Sequence, residues 1–180
     1  MNIEICYNLR NYVKGSRIMK NIKKYIYSAL MMALTFVATY AVRIPVPATE
    51  GYIHIGDSVI FVSSMLFGPV IGGITGAFGS ALCDLAAGYV VYIIPTFIIK
   101  GLMGLVIGLM IGNKKNKFSN ISGYAISFVI LVGGYYLYES FIYSSFTVPL
   151  LSVGFNTIQY LAGAVLGTIV YKLLSKFINK

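Results

Sequence analysis

"GGYYLYESFIYSSF", residues 133–146, has the composition of the end of a membrane-spanning helix, yet it contains a carboxylate. Apolar chain flanks Glu139 on both sides. Tyr135, Tyr136 and Tyr143 fall at i−4, i−3 and i+4, on the same face of a helix. An ionised group at bilayer depth costs ~3 kcal/mol on insertion scales and more on an isolated helix. Glu139 therefore needs a partner, either elsewhere in the chain or in something the chain binds.

The composition sets the solvent. Of 180 residues, 58% are hydrophobic and 11% charged, with a mean hydropathy of +0.81. A soluble domain carries about 25% charged residues, so this is an integral membrane protein. Its long apolar stretches with short polar links predict helices, since a β-barrel would alternate over segments of about ten residues. The net charge of +9 comes from short basic clusters that flank apolar spans. That is a topology signal and not a nucleic-acid surface. Two cysteines, Cys6 and Cys83, make no disulfide framework, and Cys83 reads as a small packing residue.

Residues 1–21 form a polar, basic tail containing Arg10, Lys14, Arg17 and Lys20, and Met19 offers an alternative start. The first span, 22–43, opens on Lys23 and Lys24. It is too long for a signal peptide and lacks a clear cleavage motif. "IPVPATEGYIHIG", 44–56, is a loop, because Pro45 and Pro47 do not fit inside a helix. The apolar run 57–67 would be ~16 Å long as a helix, against a ~30 Å hydrocarbon core. After a turn at "FGP", 67–69, come spans at 70–87, 95–112, 121–145 and 150–171, with a polar loop at 113–120. The expected fold is all-α and integral to the membrane, with six transmembrane helices, the second short. They form one domain, 22–175, followed by a basic tail, 176–180. Twelve of the fourteen basic residues then fall on one side, including Lys114, Lys115, Lys117, Lys172, Lys176 and Lys180; the exceptions are Arg43 and Lys100. The positive-inside rule puts both termini in the cytoplasm. Stripes of small residues predict close helix packing: Gly72, Gly76 and Ser80; Gly101, Gly104 and Gly108; Gly163 and Gly167; Ala29 and Ala33.

This topology gives the polar residues a depth. At ~1.5 Å per residue, Glu139 lies roughly 9 Å below the outer edge, Lys100 about 8 Å, Asp84 about 6 Å, and Asn156 and Gln159 roughly 10–15 Å. Convergent donors and acceptors among aromatic rings describe a small-molecule pocket, with the loop carrying Tyr52 and His54 as its cover. The simpler readings are a Lys100–Glu139 structural ion pair, an interfacial tyrosine belt, Asn156 and Gln159 joining helices, an incidental His54, and Asp57 capping the short helix. No enzyme, metal or cofactor is expected. A single histidine rules out a multi-histidine metal site, and there is no HExxH or Walker A pattern. The glycines of "GGITGAFGS", 72–80, sit inside a span and serve packing.

The segments "GYIHIGDSVIFVSSMLFGPVIGGITGAFGSALCDL", "PTFIIKGLMGLVIG", "YYLYESF" and "NTIQYLAGAVLG" occur in order behind a first helix with an alanine stripe. Over residues 22–175 the chain resembles the S component of energy-coupling factor (ECF) vitamin transporters. It looks most similar to the subgroup for hydroxymethylpyrimidine, pyridoxine-like compounds or riboflavin. The resemblance implies a vitamin-binding subunit in a prokaryotic plasma membrane, docked on a transmembrane scaffold driven by two ATPases. It implies a pocket in the outer halves of helices 4–6, capped by the first outer loop, and a scaffold contact at Ala29 and Ala33. It also implies release by toppling in the membrane. A self-contained carrier or channel is the alternative, weakened by a cytoplasmic half without ionisable residues. A membrane enzyme is weakened by the missing catalytic motifs.

Overall fold

The structure, a computed structural model, describes residues 3–46, 51–111 and 116–178, with side chains for those from 22 to 177. Pro47, Gly112, Lys114, Lys115 and Lys180 lie outside the described residues, as do the side chains of the 1–21 segment.

The chain builds six helical rods and one small hairpin among the described residues. Helix α1 is Ile3–Ala41, and it continues without a break through the segment that the charge pattern assigns to a tail. Strands β1, Arg43–Pro45, and β2, Tyr52–His54, pair antiparallel with Arg43 opposite His54 and Pro45 opposite Tyr52. Helix α2 is Asp57–Phe67, and α3 is Pro69–Ala87. A 3₁₀ turn, Val90–Tyr92, leads into α4, Ile93–Met110. Helix α5 is Lys117–Ile142 and α6 is Leu150–Ile178. The hairpin corrects the all-α expectation. Pro45 breaks a helix but is tolerated in a two-stranded ribbon, where one edge needs no N–H donor. The Val46 N–H donates to the Gly51 carbonyl at 3.0 Å and continues the pairing beyond the strands.

Among the described residues, four stretches are long and apolar enough to cross a membrane: Pro69–Ala87, Val90–Met110, Lys117–Ile142 and Leu150–Phe177. Helix α2, at 11 residues, is not. It is separated from α3 by Gly68, whose φ of 89° belongs to the left-handed region that glycine enters without strain. The burial pattern is inverted relative to a soluble protein. Large apolar side chains such as Ile94, Phe118, Phe141 and Phe177 face outward. Thr35, Thr39, Asp57, Ser63, Ser64, Thr75, Lys100 and Ser127 have no exposed surface. Only an apolar surrounding makes this arrangement favourable.

The glycine stripes do what their spacing predicts. Helices α3 and α4 approach so closely that a Cβ on Gly104 would land on the Gly72 carbonyl, and one on Gly76 on the Lys100 carbonyl. A Cβ on Gly163 would lie 2.8 Å from Asp57 Cβ, and one on Gly167 2.5 Å from Phe61 Cβ, so α6 seats directly on α2. The π-helical turns Thr75–Gly79 in α3 and Val129–Gly133 in α5 shift the register of both rods within the bundle. Ser28, Met31, Thr35 and Thr39 form the buried face of α1. Ala29 and Ala33 lie on its exposed side.

Candidate functional site

The ends of α3, α4, α5 and α6 nearest the hairpin meet around one cavity of about 30 Å³. The hairpin contributes Val46, Gly51, Tyr52 and His54, and α3 contributes Asp84. The 3₁₀ turn adds Tyr92, and α4 adds Thr96. Helix α5 presents Tyr135 and Glu139, and α6 presents Ser152, Asn156 and Gln159. A cavity of this size has room for a water molecule or two, whereas small-molecule sites run to roughly 300–1,000 Å³. A vitamin-sized ligand therefore needs one wall to move outward.

Glu139, 3% exposed, is held by two hydroxyls. The Tyr92 hydroxyl donates to Oε1 at 3.2 Å and Ser152 donates to Oε2. Asp84 Oδ1 accepts from the Tyr52 hydroxyl at 2.7 Å. That bond ties the hairpin to α3. Tyr135 and Thr96 share a hydrogen bond of 3.0 Å across the floor.

Beneath the cavity lies an ion pair that the sequence reading did not assign. Lys100 Nζ donates to both oxygens of Asp57, at 2.6 and 2.7 Å, and neither side chain has any exposed surface. Gln159 Nε2 donates to Asp57 Oδ2 at 2.8 Å, and its Oε1 accepts from the His54 backbone N–H at 3.0 Å. The carboxamide thus links the buried pair to the hairpin. His54 Nδ1 in turn accepts from the Gly56 N–H at 3.1 Å, which fixes the neutral ring with its proton on Nε2. Burial depresses the His54 pKa to about 4. Burial, followed by the neighbouring Asp84 carboxylate, raises that of the Tyr52 hydroxyl.

Of the ten residues read from sequence as ligand-facing, the structure gathers seven around the cavity: Tyr52, His54, Asp84, Tyr135, Glu139, Asn156 and Gln159. Three stand elsewhere. Lys100 is below the cavity and pairs with Asp57, so the Lys100–Glu139 pair is not formed. Tyr136 turns away and donates to the Phe146 carbonyl at 3.2 Å. Tyr143 lies outside the lining and interacts with Tyr92. Asp57 does not cap α2. Gly56 holds the cap position, and the Asp57 carboxylate points into the bundle because Lys100 is there to meet it. His54 lines the cavity. Ser152 and Tyr92 are additions. Ser152 was legible, since it lies one turn before Asn156 on the same stripe of α6. Tyr92 was not, because the 3₁₀ turn breaks the helical period. The Asp57–Lys100 pair had a signal too: a lysine inside a span needs an acid at its own depth.

Residues 19–176 match the profile of the family described as the ECF-type riboflavin transporter, S component. The chain is 31% identical over 158 residues to the thiamine precursor transporter HmpT of Lactococcus lactis subsp. cremoris, covering 87% of this chain and 90% of that protein. It is 38% identical over 99 residues to an uncharacterised protein of Pyrococcus woesei, covering 55% of this chain and 66% of the other. A solved structure described as the S component of a bacterial ECF transporter superposes with a TM-score of 0.72 at 19% identity, over 89% of this chain and 99% of that one. With a family match across nearly its whole length, on an inside-out helical bundle built for lipid, the chain belongs to the S components of ECF-type riboflavin transporters, multi-pass proteins of the plasma membrane.

Proposed function

We propose that this chain is the solute-binding subunit of an ECF-type importer and that it takes up a small heteroaromatic vitamin or vitamin precursor. Hydroxymethylpyrimidine or a pyridoxine-like compound ranks ahead of riboflavin. One observation carries the reading. Two carboxylates, two carboxamides and three tyrosines drawn from five separate elements converge on a single cavity. The similarity to HmpT favours a thiamine precursor.

In this proposal the six-helix bundle lies across the membrane, α2 reaching only part of the way, with the tails at 1–21 and 176–180 in the cytoplasm. The hairpin forms the outer cover. It is held by Tyr52 to Asp84 and by the His54 N–H to Gln159. Exchanging those two bonds for bonds to ligand would open the wall at little net cost, since a typical internal hydrogen bond contributes only about 1 kcal/mol. On the far side of Lys100 the core is apolar, with Phe61, Met103, Ile107 and Leu131 all fully buried. The polar groups there are spent on one another, Ser127 with Tyr160 and Tyr124 with Thr168, so transport would need work from outside the subunit. A transmembrane scaffold driven by two ATPases would supply it through α1. There Ala29 and Ala33 lie in an open apolar groove with Met32, Phe36, Leu82 and Leu85. Small residues at such a seam let another helix approach closely.

The test is to purify the chain and identify any co-purifying molecule by mass spectrometry, then titrate it by calorimetry. A heteroaromatic bound by wild type and lost in Glu139→Ala supports the reading. Tight binding of an aliphatic solute, or concentration of solute by the chain alone in vesicles, would replace it with a self-contained carrier.

A further inference from the structure

The end of the bundle away from the hairpin carries cations with no acid beside them. Among the described side chains the carboxylates are Asp57, Asp84 and Glu139, bonded to Lys100 and Gln159, to Tyr52, and to Tyr92 and Ser152. All three lie at the cavity or beneath it. Lys172 and Lys176 stand exposed on the last turns of α6, and Lys100–Asp57 is the one salt bridge among the described residues. A counter-ion for Lys172 must therefore come from outside the described chain. Lys172 also closes a furrow of about 290 Å³ between α5 and α6, lined with it by Tyr124, Ala164, Val165, Thr168 and Ile169. This lining is graded along the helix axis. Ala164 and Val165 are apolar. One turn on, the Thr168 and Tyr124 hydroxyls share a hydrogen bond of 2.7 Å. One further turn brings the Lys172 ammonium, ~12 Å from Ala164 at ~1.5 Å per residue. The grooves at Ala29 and between α3 and α4 are lined by apolar residues throughout and have no such gradient.

We infer that this furrow holds one anionic glycerophospholipid, with its phosphate on Lys172, its ester region against the Tyr124–Thr168 hydroxyls and the start of an acyl chain along Ala164, Val165 and Ile169. Cation, hydroxyls and hydrocarbon follow one another in the order that such a lipid presents from its headgroup inward. Basic pockets between transmembrane helices take anionic headgroups in this way. Lys176 is one turn beyond Lys172 on the same face and adds positive potential at the headgroup level. A zwitterionic lipid brings its own cation to the phosphate and gains less from Lys172. A partner helix laid in the furrow would enclose the ammonium among apolar side chains, at a cost, unless it carried an acid at that depth. The site is separate from solute binding, because Lys172 is ~24 Å along α6 from Asn156 in the cavity lining.

The full chain is assembled in nanodiscs of equal parts phosphatidylglycerol and phosphatidylcholine with identical acyl chains, then moved into mild detergent, and the lipids it retains are counted by native mass spectrometry. Four variants accompany it. Lys172→Gln removes the cation of the furrow, and Lys24→Gln removes an exposed lysine of α1 as the charge control. Val165→Trp fills the furrow, and Leu109→Trp on α4 is the bulk control, both positions being 57% exposed. The unaltered chain should retain phosphatidylglycerol at least ~5-fold over phosphatidylcholine, the preference that one lysine near the headgroups provides. Lys172→Gln should bring that ratio close to one and Lys24→Gln should leave it unchanged. Val165→Trp should reduce retention of both lipids, and Leu109→Trp should not. Glycerol 3-phosphate, the headgroup without its chains, should displace nothing at the same concentration. Equal retention of the two lipids overturns the inference, as does a preference lost equally in Lys24→Gln, which marks a diffuse charge effect. Displacement by glycerol 3-phosphate, or normal retention in Val165→Trp, removes the furrow from the account. Retention of neither lipid also overturns it and leaves the furrow to a protein partner. Should Val165→Trp not fold, the two lysine variants decide alone.

Discussion

Replacing Lys100 with methionine keeps most of the side-chain volume and removes the ammonium. Asp57 would then retain one donor, the Gln159 carboxamide at 2.8 Å, where it now has three hydrogen bonds. No water reaches it, since its side chain has no exposed surface. The carboxylate can remain charged and unpaired, which costs about 3–5 kcal/mol when a buried pair loses one member. It can instead take up a proton at neutral pH. From an ordinary carboxyl pKa near 3.9, about 3 units below neutrality, that costs ~4 kcal/mol at 1.36 kcal/mol per unit. Both routes arrive at the same figure. For a chain of this size ~1 kcal/mol shifts Tm by about 2–4 °C, so Lys100→Met should lower Tm by roughly 8–15 °C. Adding Asp57→Asn removes the stranded charge while keeping a polar partner for Gln159. The double variant should recover more than half of the loss, because neutral replacements of a buried pair are often tolerated. Thermal unfolding of the four variants in nanodiscs, analysed as a double-mutant cycle, measures the coupling. A single variant within ~2 °C of wild type, or a double variant no more stable than the single, refutes the account of the pair as a mutually dependent buried unit.

Glu139→Ala should weaken ligand binding by ~2–5 kcal/mol in a calorimetric titration, because ligand donors lose a desolvated partner; unchanged affinity in a folded variant would exclude Glu139 from the site. Gly104→Leu drives a side chain into the Gly72 carbonyl and should cost at least about 3 kcal/mol of stability, read as loss of monodisperse protein and lowered Tm. Gly154→Leu, where a Cβ meets nothing, should be tolerated as the control. Between pH ~6.5 and about 4 the unfolded chain binds a proton that folded His54 refuses. Stability should therefore fall as pH is lowered through that window and stay level above it. His54 is half-buried, which discounts the effect to ~1–2 kcal/mol, and His54→Gln should flatten the pH profile of Tm. Ala29→Leu with Ala33→Leu should leave ligand affinity near wild type yet abolish ATP-dependent uptake in vesicles that contain the assembled transporter; normal uptake would remove α1 as the docking face.

The large features of the fold could be read from sequence because lipid imposes simple demands. Length, hydropathy and glycine spacing located α2 to α5 and the start of α6 within a few residues, and the bounds of α2 matched those expected, while α6 runs on past the expected 171 to Ile178. Glu139, Asn156 and Gln159 stood out because polar groups inside spans are rare enough to be conspicuous. What escaped notice depended on pairing between distant segments. Asp57 looked like a cap because a carboxylate at the start of a helix usually is one. Nothing local reveals that a lysine 43 residues away occupies the space behind it. The hairpin escaped because three residues per strand is too short for alternation to register. Tyr136 and Tyr143 show the opposite error. Helical spacing put them on the Glu139 face, but α5 ends at Ile142 and the chain turns there, so Tyr136 meets the Phe146 carbonyl and Tyr143 approaches Tyr92 from outside the lining.

The Asp57–Lys100 pair also has an electrical consequence. A membrane potential of 100 mV exerts about 2.3 kcal/mol on each elementary charge carried fully across it. Both members are fully buried and 2.6 Å apart. Their sum is zero, and any tilting of the subunit leaves them a small dipole whose ends travel together. This lysine therefore adds no net gating charge, and a rotation of the bundle at this depth would do little work against the field.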